Sequence, residues 1–180
     1  MSAESDETVT LRESESSVLV QHAPISQPPV DPTPRLGGGS PVTVDVRFGD
    51  PPRAGTSGVD AATADVVVAA AEADGDDDDA RYAIDGPDDL TGYGMALTDV
   101  IADADAPLVV RIDSLTALLQ DATVDEAFRF VHVLGGRVSR EDAVLLAGVD
   151  ADSHDDRTVA QLLQPFDVTV TGSDGTVRRR

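Results

Sequence analysis

The chain has 180 residues, 34 Asp and Glu against 13 basic residues, and a formal net charge of −21. All 13 basic residues are Arg, Cys is absent, and aromatic residues make up only 3% of the chain. These facts exclude disulfides, thiol catalysis and cysteine metal sites, and they argue against nucleic acid, which needs a basic surface. A hydrophobic share of 41% suffices for one core of ordinary size, so a single domain over 17–180 is expected. Asp outnumbers Glu 27 to 7, and with no Lys and a core of Val, Ala and Leu this points to adaptation to molar salt. At a Debye length of roughly 3 Å in 1 M salt, the repulsion among the excess charges is largely screened. No apolar run reaches membrane-spanning length, and the start "MSAESDETVT" lacks the features of a signal peptide, which places the expected location in the cytoplasm.

In chain order, residues 1–16 are polar and acidic and are expected to be disordered. "SSVLVQ" (16–21) is the first strand candidate, followed by "HAPISQPPVDPTPRLGGGS", whose five prolines and three glycines predict an open loop without helix. "PVTVDVRF" (41–48) alternates Val with polar residues and predicts a half-buried strand; Val66 to Val68 tip the next apolar run toward strand. "DGDDDD" (74–79) lacks the spaced ligands and closing Glu of a calcium loop and reads as a solvated acidic loop. "ARYAID" is a short strand, and Leu90, Tyr93, Leu97, Val100, Ile101 and Ala104 recur at helical spacing. "PLVVRIDSLTALLQ" (107–120) is a buried strand that breaks at Asp113-Ser114 into a new apolar segment.

Thr123 and Glu126 form a capping box ahead of a helix with a core stripe of Val124, Ala127, Phe128, Val131 and Leu134, which Gly135-Gly136 is expected to stop. "DAVLLAGVD" is a buried strand; "SHDDRTVAQLLQPF" is a helix opened by Ser153, with Val159, Leu162, Leu163 and Phe166 on one face. "DVTVTGSDGTVRR" is a hairpin turning at Asp174-Gly175. Strands alternating with helices predict an α/β fold of three layers, with a mainly parallel sheet closed by a C-terminal antiparallel hairpin.

"DDLTGYGMALTDVI", "VVRIDSLTALLQ", "FRFVHVLGGRV" and "SHDDRTVAQLLQPFDVTV" together resemble the carboxyl-terminal part of the RecA/KaiC-like superfamily. More closely, they look like a haloarchaeal group of KaiC-related domains of unknown function. The resemblance covers about residues 80–175 and implies a RecA-like P-loop type of sheet. In active members the strand ending in Asp is the Walker B motif, which helps hold magnesium, and Asp113 matches it with Ser114 beside it. No G-x-x-x-x-G-K-[ST] occurs, and a chain without Lys cannot carry one. The candidate position after the first strand is "HAPISQPP", and "LGGGSP" (36–41) reads as a linker.

Asp113 and Ser114 are therefore expected as the remnant of a nucleotide or metal site, with the carboxylate capping the following turn. His154 and Asp155 are expected edge contacts near the ends of strands, and Asp156 supports a helix start. His132 falls on the polar face of its helix with Asp125 and Arg129, and His22 beside Pro signals little. Phe130 and Val133 lie off the main stripe of their helix and are expected either to form the interaction surface or to serve a second packing contact. The function expected is a non-catalytic regulatory or protein-interaction domain of a halophilic archaeon. It would have no catalytic residue, metal or cofactor, and a protein partner or a second copy as its ligand. The rival readings are a weak ATP or metal site at Asp113, Ser114 and His154, completed by another subunit, and a stand-alone metal-dependent hydrolase.

Overall fold

The computed structural model describes residues 8–21, 30–37, 39–48, 64–70, 82–171 and 176–180. His22, "HAPISQPP", "DGDDDD" and the Asp174-Gly175 turn lie outside the described residues. Among the described residues, ten strands and five α-helices follow in order: β1 (Val9–Thr10), β2 (Ser17–Gln21), β3 (Val30–Asp31), α1 (Thr33–Leu36), β4 (Val42–Arg47), β5 (Val66–Ala70), β6 (Tyr82–Ile84), α2 (Leu90–Ala102), β7 (Leu108–Ile112), α3 (Leu115–Asp121), α4 (Val124–Val138), β8 (Ala143–Val149), α5 (Asp156–Leu163), β9 (Val168–Thr171) and β10 (Thr176–Arg179). Eight strands form one sheet in the order β10-β9-β2-β8-β7-β4-β5-β6, while β1 and β3 pair separately. Every pairing in the large sheet is parallel except that of β10 with β9, so the fold is α/β with a mostly parallel sheet and a C-terminal antiparallel hairpin.

The direction of each crossover decides which face its helix covers. The steps β6 to β7, β7 to β8 and β8 to β9 all move toward the β10 edge, so right-handed crossovers place α2, α3, α4 and α5 on one face. There Val110 and Ile112 pack with Tyr93, Leu97, Val131 and Leu162 in one core. The step β2 to β4 moves the other way, and its connection lands on the opposite face. Val109, Val144 and Leu146 meet Val9, Leu11, Val30 and Leu36 there. Among the described residues, this second face carries the β1-β3 ribbon and the one-turn α1.

Other expectations change for identifiable reasons. Residues 8–16 are not frayed: Val9 and Leu11 alternate onto the second core, and Arg179 Nε donates to Glu15 Oε1 at 2.8 Å. The proline-rich stretch holds a helix after all, because Pro32 and Pro34 sit at its start, where a missing N–H costs nothing, and Gly37 closes it at φ 68°. Gly135-Gly136 does not stop α4, which runs to Val138. Burying Val138 completely is worth about 1.5–3 kcal/mol, which offsets the roughly 2 kcal/mol cost of the two helical Gly together. Ser153 ends a 3₁₀ turn, Ala151–Ser153, and Asp155 caps α5 instead.

The β4 strand is central rather than half-buried, because β5 and β7 flank it and Asp45 is only 4% exposed. Phe128 is only partly buried and stacks on His132 with ring centroids 5.8 Å apart, whereas Phe130 meets Phe48 edge-on at 5.8 Å. The fully buried Tyr93 donates its hydroxyl to Arg47 O at 2.8 Å, which removes the cost of an unpaired buried polar group.

Candidate functional site

Ligand sites in open parallel sheets form at the carboxyl ends of the strands, and Asp113 stands at the end of β7. Its N–H donates to Val46 O at 3.1 Å, which extends the β4–β7 ladder by one bond. Burial pushes the Asp113 carboxyl above its ordinary pKa, the neighbouring Asp45 charge adds to this, and Arg47 and Arg111 oppose it. Asp45 and Arg111 face each other in register, with Arg111 Nε 2.6 Å from Asp45 Oδ1 and Arg47 Nη2 3.8 Å from Asp45 Oδ2. Because side chains two apart on a strand share a face, Asp45, Arg47, Arg111 and Asp113 form a patch of alternating sign on two adjacent strands. Within it Asp45 Oδ2 and Arg111 Nη2 are buried without a hydrogen-bond partner among the described residues.

The other expected edge residues are committed to local structure. Ser114 Oγ accepts from Ala117 N–H at 3.1 Å and caps α3. His154 Nε2 lies 3.0 Å from Thr116 Oγ1, which also accepts from Asp150 N–H at 3.0 Å. Asp155 Oδ1 accepts from Thr158 N–H at 2.8 Å, and that bond holds its carboxyl below the ordinary range. Thus Asp113 and Ser114 meet at the end of β7, His154 docks on the start of α3 through Thr116, and Asp155 turns into its own helix. Among the described residues, no group of three or more His, Asp or Glu could hold a metal ion.

A second feature lies on the helical face, where a groove of about 540 Å³ runs between α2 and α4. Phe130 and Val133 line it with Leu90 and Leu134. Val133 is 70% exposed, whereas Phe130 is partly buried against the core. Phe130 thus makes a packing contact inside the molecule, and Val133 presents the exposed apolar surface.

A family model matches residues 36–172, over three quarters of the chain. The chain belongs to the DUF7504 family, a family of unknown function. No curated protein matches in sequence. The fold is similar to that of the Pyrococcus horikoshii OT3 protein PH0250, with a TM-score of 0.54, 14% identity, and coverage of 94% of this chain and 87% of that one. It is also similar to that of the uncharacterized protein PH0321 from Pyrococcus horikoshii, described as in complex with an unknown peptide, with a TM-score of 0.52, 9% identity and 92% coverage of both chains. At these identities the likeness extends to the fold.

In this DUF7504 chain Asp45, Arg47, Arg111, Arg137 and Gly94 belong to no motif that the sequence alone marks as functional. The i, i+2 spacing of opposite charges in both "VDVR" and "VRID" was the available signal for the paired strands. Gly94 and Arg137 carried none, because a groove between two helices becomes visible only once the crossovers are placed.

Proposed function

We propose that this chain is a catalytically degenerate RecA/KaiC-like domain that acts by binding another protein, as a regulatory module of a salt-adapted archaeon. The observation that supports this best is the commitment of the strand-end residues to the fold itself. Ser114 and Asp155 cap helices, His154 is held by Thr116, and Asp113 sits beside the Asp45–Arg111 pair. The absence of Lys removes the cation that a phosphate loop places on the outer phosphates. An interaction role is supported by the exposed Val133 on a groove of peptide-binding size and by the unknown peptide described with PH0321.

The rival, a nucleotide or metal site completed by another subunit, draws on one observation. Asp113 is a partly buried strand-end carboxylate with a raised pKa, and shifted carboxylates in clefts mark functional sites as well as ion-pair networks.

The test is affinity capture with the tagged full chain at molar potassium chloride, comparing the parent with Asp113→Ala and Val133→Asp. Val133 is exposed, so Val133→Asp leaves the core intact, which Phe130→Asp would not. The expected result is a stoichiometric partner that Asp113→Ala retains and Val133→Asp loses. A partner lost only with Asp113→Ala would move the surface to the strand-end edge, and a chain that stays alone and hydrolyses ATP would overturn the proposal.

A further inference from the structure

Three features of the α2–α4 groove decide what it can receive. The first is Gly94, inside α2 and on the groove wall. A Gly in a helix interior costs about 1 kcal/mol relative to Ala, yet a Cβ built at Gly94 meets nothing within 4 Å. Gly92, two residues earlier, is explained by the Asp89 carboxylate that closes on it; Gly94 and, on α4 away from the groove, Gly136 have no such neighbour, and of these two only Gly94 lines the groove. A helical Gly that no internal contact requires is suited to close approach from outside.

The second feature is charge. Both α2 and α4 precede parallel strands and run antiparallel to them, so their N-termini lie at the same end of the groove. Asp88 and Asp121 line that end, and neither makes a side-chain hydrogen bond among the described residues; Asp89 and Glu126 are there too but are used as helix caps. At the opposite end stands Arg137, whose Nε is buried without a hydrogen-bond partner among the described residues. Arg129, one turn into α4, offsets part of the acidic end and leaves it net negative.

The third feature is the nature of the walls. Their backbone N–H and C=O groups are consumed within helices, so an extended peptide would find no ladder to join. A third helix brings its own backbone bonds satisfied and needs only an apolar stripe. From Asp88 to Thr98 the groove has room for about 15 Å of helix, nearly three turns.

We infer that the groove receives one amphipathic helix of a partner protein, parallel to α2 and α4, with basic side chains in its first turn against Asp88 and Asp121 and a carboxylate in its last turn against Arg137. The positive end of its dipole lies beside those of α2 and α4, and the uncapped carboxylates Asp88 and Asp121 are what offset it. Gly94 admits the helix to close contact, and Val133 covers its apolar stripe. This deepens the protein-binding role proposed above and rests on it.

The experiment uses the full chain and two synthetic helices of about 14 residues, roughly 20 Å. They share one Leu and Ala stripe; one carries Arg in its first turn and Glu in its last, and the other has the charges exchanged. Binding is read by fluorescence anisotropy in about 0.5 M potassium chloride, where the Debye length is between roughly 3 and 10 Å. The matched helix should bind about tenfold more tightly than the exchanged one. Arg137→Glu should erase that preference, and Gly94→Leu should abolish binding without lowering the melting temperature. Equal binding of the two helices, no binding of either, or full affinity in Gly94→Leu would overturn the assignment. Self-association of the chain that Gly94→Leu abolishes would also overturn it, by making a second copy the occupant. A captured partner that still binds Gly94→Leu would refute the groove while leaving the interaction role standing.

Discussion

Replacing Asp45 and Arg111 separately and together gives the sharpest reading of the strand-end charges. The two side chains are 6% and 11% exposed and approach to 2.6 Å, so each holds the other's charge out of water. Removing one member of such a pair typically costs about 3–5 kcal/mol, because the survivor keeps its desolvation penalty without its partner. Here each survivor retains a second opposite charge: Arg47 lies 3.8 Å from Asp45, and Asp113 stands beside Arg111. Asp45→Leu and Arg111→Met should therefore each cost near the lower limit, about 3 kcal/mol. The double variant exchanges the pair for apolar side chains and should fall within about 1 kcal/mol of the parent, far from the roughly 6 kcal/mol that additivity requires. Urea unfolding at constant molar potassium chloride measures all four free energies, and the losses are large against a domain total of about 5–15 kcal/mol. An additive double variant would refute a coupled pair.

Ser114→Ala should destabilise by about 1 kcal/mol through loss of the α3 cap, measured by the same unfolding, and no change would place the cap elsewhere. Asp113 is raised above its ordinary 3.8, so the folded state holds its proton more tightly than the unfolded chain. Its contribution to stability is fully present below pH 3.8 and is lost as pH rises through the raised value. Asp113→Asn should accordingly match or exceed the parent's melting temperature at neutral pH, and an Asn variant that melts lower there would contradict the burial argument. Reducing salt from 1 M to 0.1 M lengthens the Debye length from roughly 3 to 10 Å and restores repulsion in a chain of net charge −21. The circular dichroism melt should shift to lower temperature, and an unchanged melt would remove the argument for salt adaptation.

Much of the helical face was legible from local signals. The Thr123–Glu126 capping box opens α4 as its spacing predicts, Tyr93, Leu97, Val100 and Ile101 bury the predicted face of α2, and the apolar runs at 108–112 and 143–149 are sheet interior. What escaped depended on contacts between distant residues. The alternation of Val44, Asp45 and Val46 looks the same whether Asp45 faces water or a buried partner, and that partner lies 66 positions away. Gly135-Gly136 has the form of a helix stop, but whether Val138 is buried depends on where the sheet passes. Ser153 and Asp155 are both competent caps, and the choice between them follows from the turn in which Ser153 Oγ donates to Asp150 at 2.6 Å. Among the site residues, both Val133 and Phe130 were readable as off-stripe, but only the position of Phe48 decides that Phe130 packs inward while Val133 stays exposed.

The non-catalytic reading is tested most directly by thermal melting of the full chain with magnesium-ATP in molar potassium chloride, beside a turnover assay on the same sample. A ligand at about 100 times its dissociation constant would stabilise by roughly 2.7 kcal/mol, a shift that melting resolves easily. No shift at millimolar nucleotide and no hydrolysis above background are expected; a shift or turnover that Asp113→Asn abolishes would contradict the non-catalytic reading.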